Sequence, residues 1–263
     1  MTTGSLVFVH DACLGPWTWT EHFVPYFESL GWRCLAPDLH DAWPPAPDGD
    51  RPRHRGSWRR ANRVRLADYV AHLARATVAI PSPYVLVGHG MGGAIVQALL
   101  ALAPPALAPP AGAVLIASPL AGDWRSDTLR WLARWPLHSA RAIALRRVSD
   151  LLRPAAQARA ALFHAGTPDH DVSRFARAVR DESFAAWLDT GRVRLDPGAL
   201  RVPVLVLGGR EDACVSVRSV RRAATAWRAQ CHVVPHAGHC IMLEAGWLTA
   251  ARHIQRWLTP EPR

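Results

Sequence analysis

Residues 88–93, Gly88-His89-Gly90-Met91-Gly92-Gly93, carry the glycine frame of a G-x-S-x-G turn, which hands a serine hydroxyl from a strand to the start of a helix as a nucleophile. Position 90 holds glycine, so the frame is present and the hydroxyl is not. Acyl transfer through a serine ester needs that oxygen. Glycine tolerates the positive φ that such a turn imposes, so the turn itself is expected to persist around Gly90. Chemistry at this place then falls to groups that move protons. The five cysteines (Cys13, Cys34, Cys214, Cys231, Cys240) are scattered and lack paired metal-ligand spacing. They predict neither a disulfide framework nor a zinc site, and no cofactor is implied.

The elements that must position such a site alternate. Leu6-Val7-Phe8-Val9-His10 predicts a buried strand, residues 16–30 an aromatic helix, and Arg33 to Pro37 a second strand. A helix is expected over Leu66 to Val78, a strand over Tyr84 to Val87, and a helix over Met91 to Leu102. Further strands are expected over Gly112 to Ala117, Val202 to Leu207 and Cys231 to Val234, before a closing helix over Trp247 to Leu258. This order predicts an α/β fold with a doubly wound, mostly parallel sheet. Between Pro119 and Asp196 the strand pattern stops, and aromatics including Trp124, Trp131, Trp135 and Trp187 stand among Ala, Leu and Arg. The expected organisation is a core of residues 1–118 and 197–263 with a helical cap, or lid, of residues 119–196 over the ligand-binding edge of the sheet.

With 263 residues and 49% apolar content the chain suits one large core, and Leu6 to Val9 is too short for a signal peptide or membrane span. A cytoplasmic protein without membrane partners is expected. The net charge of +10 would raise nucleic acid as a partner, but all 31 basic residues are arginine and they are spread along the chain. The one cluster, Arg51 to Arg65, reads as a solvated loop rather than a phosphate site, and no nucleic-acid partner is expected.

Five motifs lie in order: His10-Asp11-Ala12-Cys13-Leu14-Gly15-Pro16-Trp17, Ala36-Pro37-Asp38-Leu39, the turn at Gly90, Gly209-Arg210-Glu211-Asp212, and Ala237-Gly238-His239. In this order they resemble the α/β-hydrolase superfamily from end to end, and most of all its esterase, lipase and hydroxynitrile lyase branch with a helical cap. The resemblance implies that Asp212 is the acid, His239 the base, and the backbone amides of Ala12 and Met91 the oxyanion hole. Asp212 also reads as a helix cap before Val215. Where the branch carries glycine after the opening histidine, this chain carries Asp11. Burial would raise the carboxyl of Asp11 and make it an acid or base opposite His239; alternatively it closes an Asx-type turn. Cys13 reads as packing rather than as a substitute nucleophile, and His10, His89 and His236 as structural. The expected pocket draws on Cys13, His89, Trp124, Trp131 and Trp187.

These readings favour an enzyme that performs cofactor-free acid and base chemistry, such as cyclisation, elimination, lyase cleavage or isomerisation, on an apolar small molecule in secondary metabolism. The alternatives are hydrolysis of an ester or lactone by water that His239 activates, a serine esterase inactivated by glycine at position 90, and a binding protein without catalysis.

Overall fold

The computed structural model describes residues 4–44, 58–102, 108–123 and 125–259. Six strands form one sheet in the order β2-β1-β3-β4-β5-β6, parallel throughout. They are β1 (Ser5–Val9), β2 (Arg33–Leu35), β3 (Tyr84–His89), β4 (Gly112–Ile116), β5 (Val204–Gly209) and β6 (Gln230–Val234). Parallel strands covered on both faces need continuous apolar runs, and β1, β3, β4 and β5 are buried along their whole length.

The expected helix over residues 16–30 is two helices, α1 (Trp17–Thr20) and α2 (Phe23–Ser29). Pro25 is the reason. It has no N–H to donate and its ring collides with the carbonyl four residues earlier, whereas in the first turn of a new helix neither matters. Following α3 (Trp58–Ala61), α4 (Leu66–Val78) buries Leu66, Tyr69, Val70, Leu73 and Thr77, a stripe at helical spacing. The helix α5 (Met91–Leu102) is buried from Met91 to Leu100, and a Cβ on Gly92 would meet the carbonyls of Val9 and His10. Only glycine lets α5 approach the end of β1 so closely.

Between β4 and β5 the described residues form helices and no strand: α6 (Arg125–Arg134), α7 (Pro136–Leu145), α8 (Ala155–Leu162), α9 (Asp169–Ala178) and α10 (Phe184–Thr190). The chain closes with α11 (Val217–Trp227) and α12 (Trp247–Leu258). For α11 the sequence offers only the cap before Val215; the helix begins at Val217, its start marked by Ser216, whose side chain accepts the Ser219 amide, and it buries Ser219, Val220, Ala223, Ala224 and Trp227.

The connections leave β1 and β3 in opposite directions, so a crevice opens beyond their carboxyl ends. In register Val9 lies beside Gly88, so two residues further along the paired chains Asp11 and Gly90 face each other across it.

Candidate active site

Gly90 lies between β3 and α5 with φ of 52°, in the left-handed region, and its amide donates to the Ile116 carbonyl. A Cβ placed on Gly90 would collide with Cγ and both oxygens of Asp11, coming 2.5 Å from Oδ2. The Asp11 carboxylate therefore fills the volume that a side chain at position 90 would take. Its Oδ1 accepts the Met91 amide at 2.5 Å, and its Oδ2 accepts His239 Nε2 at 3.0 Å. The turn at Asp11 is closed by the backbone, Leu14 N–H to Asp11 C=O, while the side chain crosses to the α5 terminus. The Asx-turn reading is thereby replaced.

On its other side His239 places Nδ1 2.8 Å from Asp212 Oδ2. Oδ1 of Asp212 accepts the amides of Cys214 and Val215 at 2.7 and 2.8 Å and closes a turn there, but α11 begins only at Val217 with Ser216 as its cap, so of the two readings of Asp212 the partner of the histidine holds in geometry and the helix cap does not. Both ring nitrogens of His239 face carboxylate oxygens and both must donate. Burial alone would lower the imidazole, but the Asp212 charge and the hydrogen bonds to Asp11 and Asp212 push it up to about 10. For Asp11, burial works upward, and the His239 hydrogen bond, the histidine charges and the Met91 amide outweigh it, holding the carboxyl at about 2. The expected upward shift is reversed because the carboxyl is paired, not isolated. The resting centre is an imidazolium between two carboxylates.

Two loops hold this centre, and each is tied to the helical insertion. His10, fully buried, bridges the Asp11 carbonyl and the Leu39 amide. Cys13, at φ of 63°, donates its N–H to Glu182 Oε2, and its C=O accepts the Arg180 amide. Glu182 also accepts Tyr69 Oη–H at 2.5 Å and the Ser183 amide at 2.7 Å. On the histidine side, the amides of His239 and Cys240 both donate to the Leu162 carbonyl at the end of α8. Glu244, buried and pushed up to about 7 by its desolvation, accepts the amides of Gly238 and His164.

Asp11, Ala12, Gly90, Met91 and His239 form the floor of a cavity of about 140 Å³. Leu120, Trp131, Val148, Leu152, Leu162 and Trp187 supply apolar walls, with Asp127, Thr128, Thr190 and Cys214 as polar points among them. Trp131 and Trp187 line it as expected; Trp124 lies outside the described residues. Cys13 and His89 do not line it. The turn at Cys13 buries the thiol, and burial with the charge of Glu182 raises it well above its ordinary range. His89 ends β3 and lies buried, with Nε2–H donated to the His239 carbonyl at 3.0 Å. The expected oxyanion pair also changes: the Met91 amide is engaged by Asp11, while Ala12 lines the cavity. Asp127, Thr128 and Glu182 carry no signal in sequence, since each lies in a polar run that reads as solvated surface.

Solved structures similar to this chain are numerous, 762 matching chains, so the fold by itself selects no single reaction. A putative non-heme bromoperoxidase, BpoC, from Mycobacterium tuberculosis H37Rv is 22% identical with a TM-score of 0.73, covering 98% of this chain and 93% of its own. MenH from S. aureus is 18% identical with a TM-score of 0.67 over 98% and 94%. Polyneuridine aldehyde esterase is 17% identical with a TM-score of 0.64 over 97% of each chain. At such identities the likeness is one of fold. No protein of curated function matches the sequence. A sequence profile described as "Alpha/beta hydrolase family" matches residues 6–251, which run from β1 through Asp11, Gly90, Asp212 and His239 into α12, and the chain belongs to that family.

Proposed function

We propose that this protein is a cofactor-free enzyme in which glycine replaces the nucleophilic serine of the α/β-hydrolase turn, and which moves protons on an apolar small molecule without a covalent intermediate. The observation that carries this reading is the Asp11 carboxylate, lodged where a side chain on Gly90 would stand and bonded to His239. A serine side chain at position 90 would have to turn the Asp11 carboxylate aside.

The reaction follows from the resting charges. A substrate oxygen that takes the Nε2 proton of His239 releases the Asp11 carboxylate from its partner, and Asp11 accepts a proton from a neighbouring carbon or heteroatom of the same substrate. One proton is given and one is taken, which is the requirement of an elimination, an isomerisation or a ring closure. Asp11 then returns its proton to the neutral imidazole across 3.0 Å, restoring the ion pair. Asp212 keeps the ring oriented throughout. The cavity of about 140 Å³ is close to the roughly 150 Å³ of an apolar cavity known to accept benzene, so the fitting substrate is about one ring in size. Five free thiols agree with a reducing, cytoplasmic setting, and no helix among the described residues is long and apolar enough to cross a membrane.

The test is turnover by Asp11→Asn and His239→Ala; if both retain the wild-type rate on its own substrate, the relay is not the catalyst. A second reading, hydrolysis of an ester or lactone by water that His239 orients, draws support from the family and from the esterases that share the fold. Labelled solvent oxygen in the product decides for it; its absence decides for the first. A third reading, a serine esterase inactivated at position 90, predicts that Gly90→Ser turns the Asp11 side chain aside and restores hydrolysis of simple aryl esters.

A further inference from the structure

Seven large aliphatic side chains are exposed among the described residues, and four of them, Leu129, Leu137, Ile143 and Leu145, stand on the consecutive helices α6 and α7. Leu137 is 83% and Leu129 65% exposed. Single exposed aliphatics are ordinary, whereas several gathered on one pair of helices mark an interaction surface. On α7, Ser139 and Ala142 are buried while Leu137, Ala140, Arg141 and Ala144 face outward at helical spacing. On α6, Asp127 and Trp131 line the cavity while Leu129, Arg130, Ala133 and Arg134 are exposed. The charge around these aliphatics has one sign. From Thr128 to Ser149 the chain carries Arg130, Arg134, Arg141, Arg146 and Arg147 and neither aspartate nor glutamate. Arg130 pairs with Asp127, and Arg147 lies over the Trp58 ring. Arg134, Arg141 and Arg146 are exposed and make no ion pair among the described residues.

Protruding aliphatics among uncompensated arginines match the boundary of an anionic bilayer, where aliphatic side chains enter the acyl region and guanidinium groups bond headgroup phosphates. A second copy docked face to face would set arginines against arginines with no acid between them, and a nucleic acid backbone would offer Leu129 and Leu137 no apolar surface. We infer that α6 and α7 dock the protein on an anionic lipid surface, with Leu129, Leu137, Ile143 and Leu145 in the interface and Arg134, Arg141 and Arg146 on headgroup phosphates. No helix among the described residues is long and apolar enough to cross a membrane, and the expectation of no membrane partner rested on spanning; docking needs no span. Because Trp131 lies in the cavity wall on the same helix that carries Leu129, docking brings the cavity within one helix diameter, about 10 Å, of a store of apolar ligands.

This inference stands apart from the proton-transfer reading, and docking is measured without substrate. The whole protein is expected to co-sediment with vesicles of equimolar phosphatidylserine and phosphatidylcholine, about tenfold more tightly than with phosphatidylcholine alone, and to be released as salt is raised. Leu137→Glu, and Arg134→Gln combined with Arg141→Gln, should each weaken that affinity about tenfold. Val78→Glu, a change at an exposed aliphatic of α4, should leave it unchanged. Amide hydrogen exchange of the unmutated protein guards against a variant that fails to fold: the mixed vesicles must slow exchange in α6 and α7 and spare α12. Three results would each overturn the assignment. Absence of binding to the mixed vesicles, or slowing confined to other helices, would leave the face to an acidic protein. Affinity untouched by Leu137→Glu would make the arginines a site for a soluble polyanion. A dimer in lipid-free solution that Leu137→Glu dissociates would give the face to a second copy.

Discussion

The two sides of the crevice grip the same imidazole differently. On the β5–β6 side, the Asp212 side chain is closed to solvent and its second oxygen is fixed by two backbone amides. On the β1–β3 side, Asp11 is 14% exposed, lines the cavity and is held by a single amide, that of Met91. A carboxylate that accepts three hydrogen bonds and whose side chain is closed to solvent is suited to orient its partner; one that faces a cavity can exchange its partner for a ligand. In the proposed reaction this difference is what suits Asp212 to holding the ring and Asp11 to meeting the substrate.

The largest expected effect probes that division through rate. Asp11→Asn is expected to lower turnover by about 10² to 10⁴, the range of a general acid or base, with little change in KM. Steady-state kinetics on any compound the wild type converts provide the check. Stability should rank the other way. Asp212→Ala strands a buried imidazolium and two amides and is expected to lower the unfolding free energy by about 3–5 kcal/mol, while Asp11→Asn lowers it by less than half of that in the same denaturant titration. An equal loss from both would erase the distinction.

Gly90→Ser is the next step down. Its side chain must displace Asp11 and accept positive φ, at about 1–3 kcal/mol, and Asp11→Gly in the same chain should return most of that loss. The double variant frees the Met91 amide and leaves a hydroxyl beside His239, so a gain of aryl-ester hydrolysis over either single variant is expected. The smallest effect is on pH. His239 is raised from 6.5 to about 10 in the fold, so its contribution to stability is complete below 6.5 and is lost as pH climbs toward 10. Melting temperatures taken across that window should fall more steeply for wild type than for Asp11→Asn, in which one of the groups that raise the imidazole has lost its charge.

Local pattern made much of this legible. The bounds of α4, α5 and α12 match the expected helices because apolar spacing, a glycine turn and a closing tryptophan-rich face mark them in the chain. Asp212 and His239 were recognisable by their place after the last two strands. What remained hidden depends on register. Asp11 and Gly90 each read as a separate departure, and only the pairing of Val9 with Gly88 makes them one steric event. Neither could the direction of the Asp11 shift be read, since burial and pairing act in opposite senses and the partner is 228 positions away. The unpartnered Nδ1 of His89 is a property of packing and has no trace in composition.

The ties from the helical insertion to Cys13 and to His239 bear on how ligands come and go. Glu182 and Arg180 bond both backbone groups of Cys13, and the Leu162 carbonyl holds two consecutive amides of the histidine loop. A hinged cover swinging away as one body would pull the imidazole and the Asp11 loop out of place with it. An opening of the insertion that leaves these bonds in place has to come from single side chains that line the cavity, such as Trp131 and Trp187, whose rotation is faster than the motion of a whole domain.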